Sequence, residues 1–164
     1  MDQREKERLL WNLRSLPNEL DDLLGDLDEE ILRWRPNPRK WSVKEIMCHL
    51  RDMERFAYLA RYQRILSEDQ PVLANVDQDR LAAESDYLNQ DAKEALADFK
   101  RLRAETVQTL EAASLEAFDR IGVHEADGPF TIEQFIQRQL KGNDVNHLNQ
   151  MKDIVVFKMP WKQA

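Results

Sequence analysis

The chain has a single cysteine, Cys48, in 164 residues. No disulfide can form within it, and a reducing cytoplasm is the expected compartment. Glycine is nearly as scarce, at four residues. Together with long stretches of helical periodicity, that scarcity points to an all-α protein. No apolar run approaches the roughly 18 residues that a membrane span needs, and no apolar signal region follows the charged start Met1-Asp-Gln-Arg-Glu-Lys-Glu-Arg8. Excess basic charge is also lacking. Lys and Arg number 24 against 31 Asp and Glu, a net charge of −7, which argues against a nucleic-acid partner. The basic cluster from Arg33 to Lys40 is diluted by flanking acids. What remains is an ordinary globular composition, 42% hydrophobic and 34% charged. It suits one domain over residues 1–164 with a sizeable core.

Four long helices are legible. The first spans about Arg4 to Leu24 and carries Leu9, Leu13, Leu16, Leu20, Leu23 and Leu24. Pro17 predicts a kink or break near Leu16. A helical turn around Asp28 to Arg33 is stopped by Pro36-Asn37-Pro38. The second long helix starts sharply: Ser42 is a good N-cap, Glu45 completes a capping box, and Trp41 with Ile46 forms a hydrophobic staple. It continues to about Leu66, with Ile46, His49, Met53, Phe56 and Ala60 on one stripe and Ala57 and Tyr58 broadening the buried face. A connection from Ser67 to Gln90 holds a short helix around Asp77 to Asn89. The third helix runs from about Ala92 to Ala113, with Leu96, Phe99, Leu102 or Arg103, Thr106 and Leu110 inward. Residues Ser114 to Pro129 form a second connection. The fourth helix repeats the start device with Thr131, Gln134, Phe130 and Phe135, and its stripe reads Ile132, Ile136, Leu140, Asn143, His147, Met151 and Ile154. Two connections of this length are too long for simple hairpins. They predict a four-helix bundle with long crossover connections.

His49 and His147 lie deep in the second and fourth helices, on apolar faces where each needs a partner. At 1.5 Å per residue, His49 sits ~10 Å from the start of its helix and His147 ~15 Å from the end of its own. The two meet only if these helices are antiparallel neighbours. Asn143 lies four residues before His147 and projects from the same face. An i, i+4 pair plus one histidine from another helix is a common way to present three ligands to a divalent metal. Two imidazoles suit zinc, nickel or iron, and an amide oxygen is the weaker donor. A buried polar pair with no metal explains the same spacing.

At these residues the chain resembles the DinB-like superfamily, in its DinB/YfiT-like branch. The resemblance is carried by Arg35-Pro36, by Lys40-Trp41-Ser42-Val43-Lys44-Glu45-Ile46, and by His49-Leu50-Arg51-Asp52-Met53-Glu54. Arg61 with Ile65-Leu66, the stretch from Asp77 to Asp86-Tyr87, and Phe99 with Arg103 add to it. Arg120 to His124, Gly128 to Thr131, and Asn143-Asp144 with His147-Leu148-Asn149-Gln150 complete the pattern, which spans nearly the whole chain. The resemblance implies a four-helix bundle with the second and fourth long helices antiparallel, and a divalent-metal site of one histidine and an H-x-x-x-H pair. His49 and His147 match two ligands. Asn143 stands where the family usually has the third, so a weakened or re-specified site is implied, with Asn143 oxygen, a water or Asp52 filling the gap. Implied activities are metal-dependent hydrolysis or a transferase reaction using a low-molecular-weight thiol, on a small-molecule substrate. The competing expectation is a bundle that has lost its metal and serves as a binding or stress-related interaction module.

Other residues carry blander readings. His124 falls in the second connection, as a solvated loop residue or one reaching the mouth of the site. Cys48 turns about 100° from His49 and reads as a small buried thiol. Asp52 and Glu54 are solvated carboxylates or acceptors for imidazole N–H groups. The leucines of the first helix could supply a homodimer face.

Overall fold

The computed structural model of the chain describes residues 1–163. Helix α1 (Gln3–Leu24) is capped by Asp2, whose carboxylate accepts from the Glu5 amide, and it continues through Pro17 without the expected break. A proline there cannot donate to the Leu13 carbonyl four residues back. That carbonyl instead accepts from Arg103 Nη1 at 3.1 Å, so a long-range side chain takes the place of the missing amide.

The short α2 (Glu29–Arg33) leads through the proline segment to α3 (Val43–Met53). The expected capping box is present: Ser42 Oγ accepts from the Glu45 amide, and Glu45 Oε2 accepts from the Ser42 amide at 2.9 Å. A π-helical segment, Glu54–Leu59, joins α3 directly to α4 (Ala60–Ser67). After α5 (Gln78–Glu84) and α6 (Ala92–Ala112), the last long helix repeats this construction. Thr131 and Gln134 close its capping box, and α7 (Ile132–Arg138) passes through a π-helical segment, Gln139–Val145, into α8 (Asn146–Lys158). Phe130 and Phe135 pack with ring centroids 5.1 Å apart, as the staple requires.

The π segments explain where the apolar stripes fail. A π turn closes i→i+5 bonds and so holds one residue more than an α turn. Beyond it the inward face shifts by about one position. Phe56, expected on the stripe, is 53% exposed, while Ala57 and Tyr58, expected to broaden the buried face, are buried together with Glu54, Tyr62 and Ile65. The third helix has no such insertion, and all its expected inward residues are buried.

The second and fourth long helices are antiparallel. Glu54 reaches Gln139, and His49 meets His147 one bundle layer away. Contacts therefore run backward along one helix as they run forward along the other. The first helix spends its leucines inward: Leu9, Leu10, Leu13, Leu16, Leu20 and Leu24 are all buried, which removes the basis for a dimer face built from them. Its outward aromatic is Trp11.

A small sheet, not anticipated from the sequence, ties the two connections together. β1 (Val72–Leu73) comes from the first connection, and β2 (Ile121–His124) and β3 (Gly128–Thr131) from the second. β1 pairs parallel with β2, which pairs antiparallel with β3. Gly122 lies where this sheet meets α4: a Cβ there would come within 2.8 Å of Ile65 and closer still to Leu73. Arg120 adds a clasp, donating to the Ile65 carbonyl at 2.7 Å.

The apolar interior falls into two clusters. One gathers the C-terminal half of α1, α3, the start of α6 and α8. The other gathers the N-terminal half of α1, α4, the end of α6 and α7. Between them lies a buried charged layer centred on Arg103. Its guanidinium donates to both oxygens of Asp144, at 2.7 and 3.1 Å, and to Glu54 Oε2 at 2.9 Å. Glu54 also accepts from Thr106 and from Gln139 Nε2, and Gln139 Oε1 accepts from the Tyr62 hydroxyl. Burial pushes the Glu54 carboxyl upward, and Arg103 pulls it back.

Two outcomes follow from this layer. Arg103→Met strands two buried carboxylates and should cost about 3–5 kcal/mol in urea denaturation, whereas substituting the carboxylates and the arginine together by apolar residues should recover much of that loss. Pro17→Ala supplies an amide that must compete with Arg103 for the Leu13 carbonyl. Its stabilisation should therefore fall well short of the ~3 kcal/mol that separates the two residues in a helix interior.

Candidate functional site

His49 projects from the middle of α3 and His147 from the first turn of α8. Their ring centroids are 4.5 Å apart, in an edge-to-face arrangement. Trp41, just before the α3 capping box, forms a third wall, with its ring 4.8 Å from His49 and 6.3 Å from His147. The tryptophan expected to act as a staple therefore also seals the histidine pair.

The two imidazoles differ in surroundings. His147 Nδ1 lies 2.9 Å from Gln150 Oε1, one turn further along α8. The amide oxygen can only accept, so Nδ1 carries the proton and Nε2 keeps its lone pair. His49 is 1% exposed, and its Nδ1 is buried with no hydrogen-bond partner. A buried polar atom without a partner costs about 1–3 kcal/mol; Arg103 Nε in the charged layer is the other such atom among the described residues. Burial, reinforced by His147, pushes the His49 imidazole down to about 3. Burial also lowers His147, against the opposing pull of Gln150 and Asp144. Both rings are neutral at pH 7, the form that ligates metals.

Asn143 is buried in the second π segment. Its Nδ2 donates to Asp144 Oδ1 at 3.0 Å, so one end of its amide is tied to the Arg103 layer. Since a carboxylate only accepts, the nitrogen faces Asp144 and Oδ1 is the end left for another partner. Asp52 does not fill the gap. Its oxygens accept from Arg51 and from the Tyr87 hydroxyl, both at 2.8 Å. Glu54 belongs to the Arg103 layer. Among the described residues, no group of three or more His, Cys, Asp or Glu side chains is placed to hold a metal ion.

His124 lies apart from the pair. It sits on β2 instead of in a loop, with Nε2 3.3 Å from Arg61 and Nδ1 3.2 Å from Asp127. Cys48 is buried, 3.9 Å from the Tyr87 carbonyl, and burial raises its thiol to about 11. It offers no nucleophile.

A cavity of about 650 Å³ opens beside the pair. His147 and Gln150 lie on its wall, with Trp34, Trp41, Ile46 and Phe157 among its apolar residues. Trp34 and Phe157 stack with centroids 5.2 Å apart. The volume suits a small organic ligand. Periodicity alone could not reveal this wall, because Trp34 and Phe157 stand outside any stripe. The missed signal was the clustering of aromatics at both chain ends of the antiparallel pair.

Comparison with known proteins places the fold and the family. A Bacillus licheniformis protein named as a proposed metal-dependent hydrolase is 30% identical over 118 residues, which cover 70% of this chain and 66% of that protein, just under two thirds of its length. The structure of YfiT from Bacillus subtilis, described as a probable metal-dependent hydrolase with an unusual four-helix bundle topology, superposes with a TM-score of 0.86 at 18% identity, covering 94% of this chain and 88% of that one. The family model of the DinB superfamily matches residues 12–151, and the chain belongs to that superfamily.

Proposed function

We propose that the chain is a divalent-metal-dependent hydrolase of reduced metal affinity, acting on a small molecule held in the cavity beside His147. The observation that carries this reading is the convergence of two neutral imidazoles 4.5 Å apart, one with a buried nitrogen that has no partner. That donor chemistry fits zinc, nickel or iron. His49 and His147 would hold the ion, with Asn143 Oδ1 as the third and weakest donor. A divalent ion in such a site supplies a Lewis acid that polarises a carbonyl and acidifies water. The chain's own part is to keep both imidazoles neutral, to fix the His147 tautomer through Gln150, and to exclude solvent with Trp41. No protein nucleophile stands by, which favours direct hydrolysis over a covalent intermediate.

A second reading is favoured by one specific observation. The Asn143 amide is already engaged by Asp144, and a chain that has given up the third ligand can keep the cavity as a binding site without catalysis. Metal content of the tag-free protein separates the two. Stoichiometric zinc, nickel or iron that is lost in His49→Ala and in His147→Ala supports the hydrolase. Protein that stays metal-free when divalent ions are added supports the binding module. Asn143→His should tighten metal binding by about tenfold or more if position 143 faces the pair, measured by competition with a chromophoric chelator; such second contributions are typically worth 10–100-fold.

A pH dependence also follows for the metal-free chain. The unfolded His49 takes up a proton near pH 6.5, whereas the folded one resists until about 3. The unfolded state then binds more protons, so stability is fully present above pH 6.5 and is lost as pH falls towards 3. At pH 4.5 the loss should be on the order of 2 kcal/mol. It should appear as a difference between the urea midpoints of the wild type and His49→Phe that widens on acidification.

A further inference from the structure

The cavity beside His147 carries a charge pattern that the metal reading does not use. Two cations, Arg39 and Lys40, line it from one side, and two carboxylates, Asp79 and Asp153, from α5 and α8. None of the four makes an ion pair among the described residues, although they share one cavity. Neighbouring charges are by contrast engaged: Arg35 pairs with Glu45, Lys44 with Glu29, and Lys152 with Glu19. Opposite charges left unpaired around one cavity give it a positive wall and a negative wall.

The positive wall is locally rigid. Pro36 and Pro38 restrict the backbone, Asn37 Oδ1 accepts from the Arg39 amide at 2.9 Å, and the Asn37 carbonyl accepts from the Lys40 amide at 3.0 Å. The next residue is Trp41, which contacts both histidines. On the negative side, the Asp77 side chain caps α5 and sets Asp79 in its first turn, while Asp153 lies on α8 beyond Gln150. Between the walls stands the apolar surface of Trp34, Ile46, Ile154 and Phe157. A simple anion would meet a chain of net charge −7, and a simple cation would meet Arg39 and Lys40 in the same cavity.

We infer that the cavity binds a zwitterion: a molecule with an ammonium group and a carboxylate flanking an apolar middle, such as a short peptide or an amino-acid conjugate. Its carboxylate faces Arg39 and Lys40, its ammonium faces Asp79 and Asp153, and the apolar middle lies on the aromatic wall. This rests on the reading of the cavity as the substrate site.

The test is a tryptophan-fluorescence titration of the full chain, stripped of metal, since Trp34 and Trp41 line the cavity. The probes are the dipeptide leucyl-phenylalanine, its N-acetyl form, its C-terminal amide, and the form blocked at both ends. The free dipeptide should bind saturably, and each block should weaken it by a few-fold to about tenfold, the range for solvent-exposed charge pairs. Arg39→Gln with Lys40→Gln should weaken the free dipeptide and leave the C-terminal amide unchanged. Asp79→Asn with Asp153→Asn should weaken the free dipeptide and leave the N-acetyl form unchanged. All four positions are exposed, so these variants should fold. The inference is overturned if the free dipeptide gives no saturable signal, if the doubly blocked form binds as well, or if either pair of substitutions shifts all four probes alike. Because the titration uses metal-free protein, the metal reading can fail without affecting this result, and the reverse also holds.

Discussion

The guanidinium of Arg103 is the contact on which the rest of the bundle depends. It lies in the middle of the core, 1% exposed, and touches every long helix. To α1 it supplies the hydrogen bond that Pro17 cannot make. To the second helix it offers a partner for Glu54, and to the fourth a bidentate partner for Asp144. Each of those groups would be intolerable in an apolar interior alone, and together they satisfy one another except at Arg103 Nε, which is buried without a partner. The layer also divides the core, so the two apolar clusters pack against it from opposite ends.

Three departures from a regular helix ladder meet at this layer: the proline of α1 and the two π segments. Glu54 opens the first π segment, and Gln139 and Asp144 belong to the second. Widened turns bring these polar side chains inward while Phe56 and Val145, in the same segments, face out. The histidine pair lies near the layer, whose Asp144 acts on His147 through its charge and accepts from Asn143. The Asn143 amide thus answers to the buried charge of this layer.

Much of this was legible in the sequence, and the part that was not has a common cause. Both capping boxes, the Phe130–Phe135 staple and the inward face of α6 could be read because they depend on neighbours within a turn or two. Helix rise made the meeting of His49 and His147 conditional on antiparallel helices, an arrangement that only the family resemblance implied. Phe56 was misplaced because an α-helical period was carried through a π turn, and nothing in Glu54–Leu59 announces an extra residue. Glu54 read as a solvated carboxylate or an acceptor for imidazole N–H, since its burial depends on an arginine supplied by a helix distant in sequence. The sheet was missed for a similar reason: β1 is two residues long, and its partner lies about fifty positions away. His124 looked like a loop residue for want of that partner.

The paired π segments have a consequence for how this bundle can change in length. Each is a one-residue insertion absorbed in place, so deleting a residue within one of them would rewind that helix to a regular α ladder. Everything beyond the deletion would then rotate by about 100° relative to everything before it. In the fourth helix this would swing His147 and the α8 face away from Trp41 while leaving the capping box and α7 where they are. In the second it would turn Tyr62 and Ile65 off the lower core while His49 stayed in register. The two halves of each helix are thus phased independently, one half set by the apolar cluster around the sheet and the other by the cluster around the histidines.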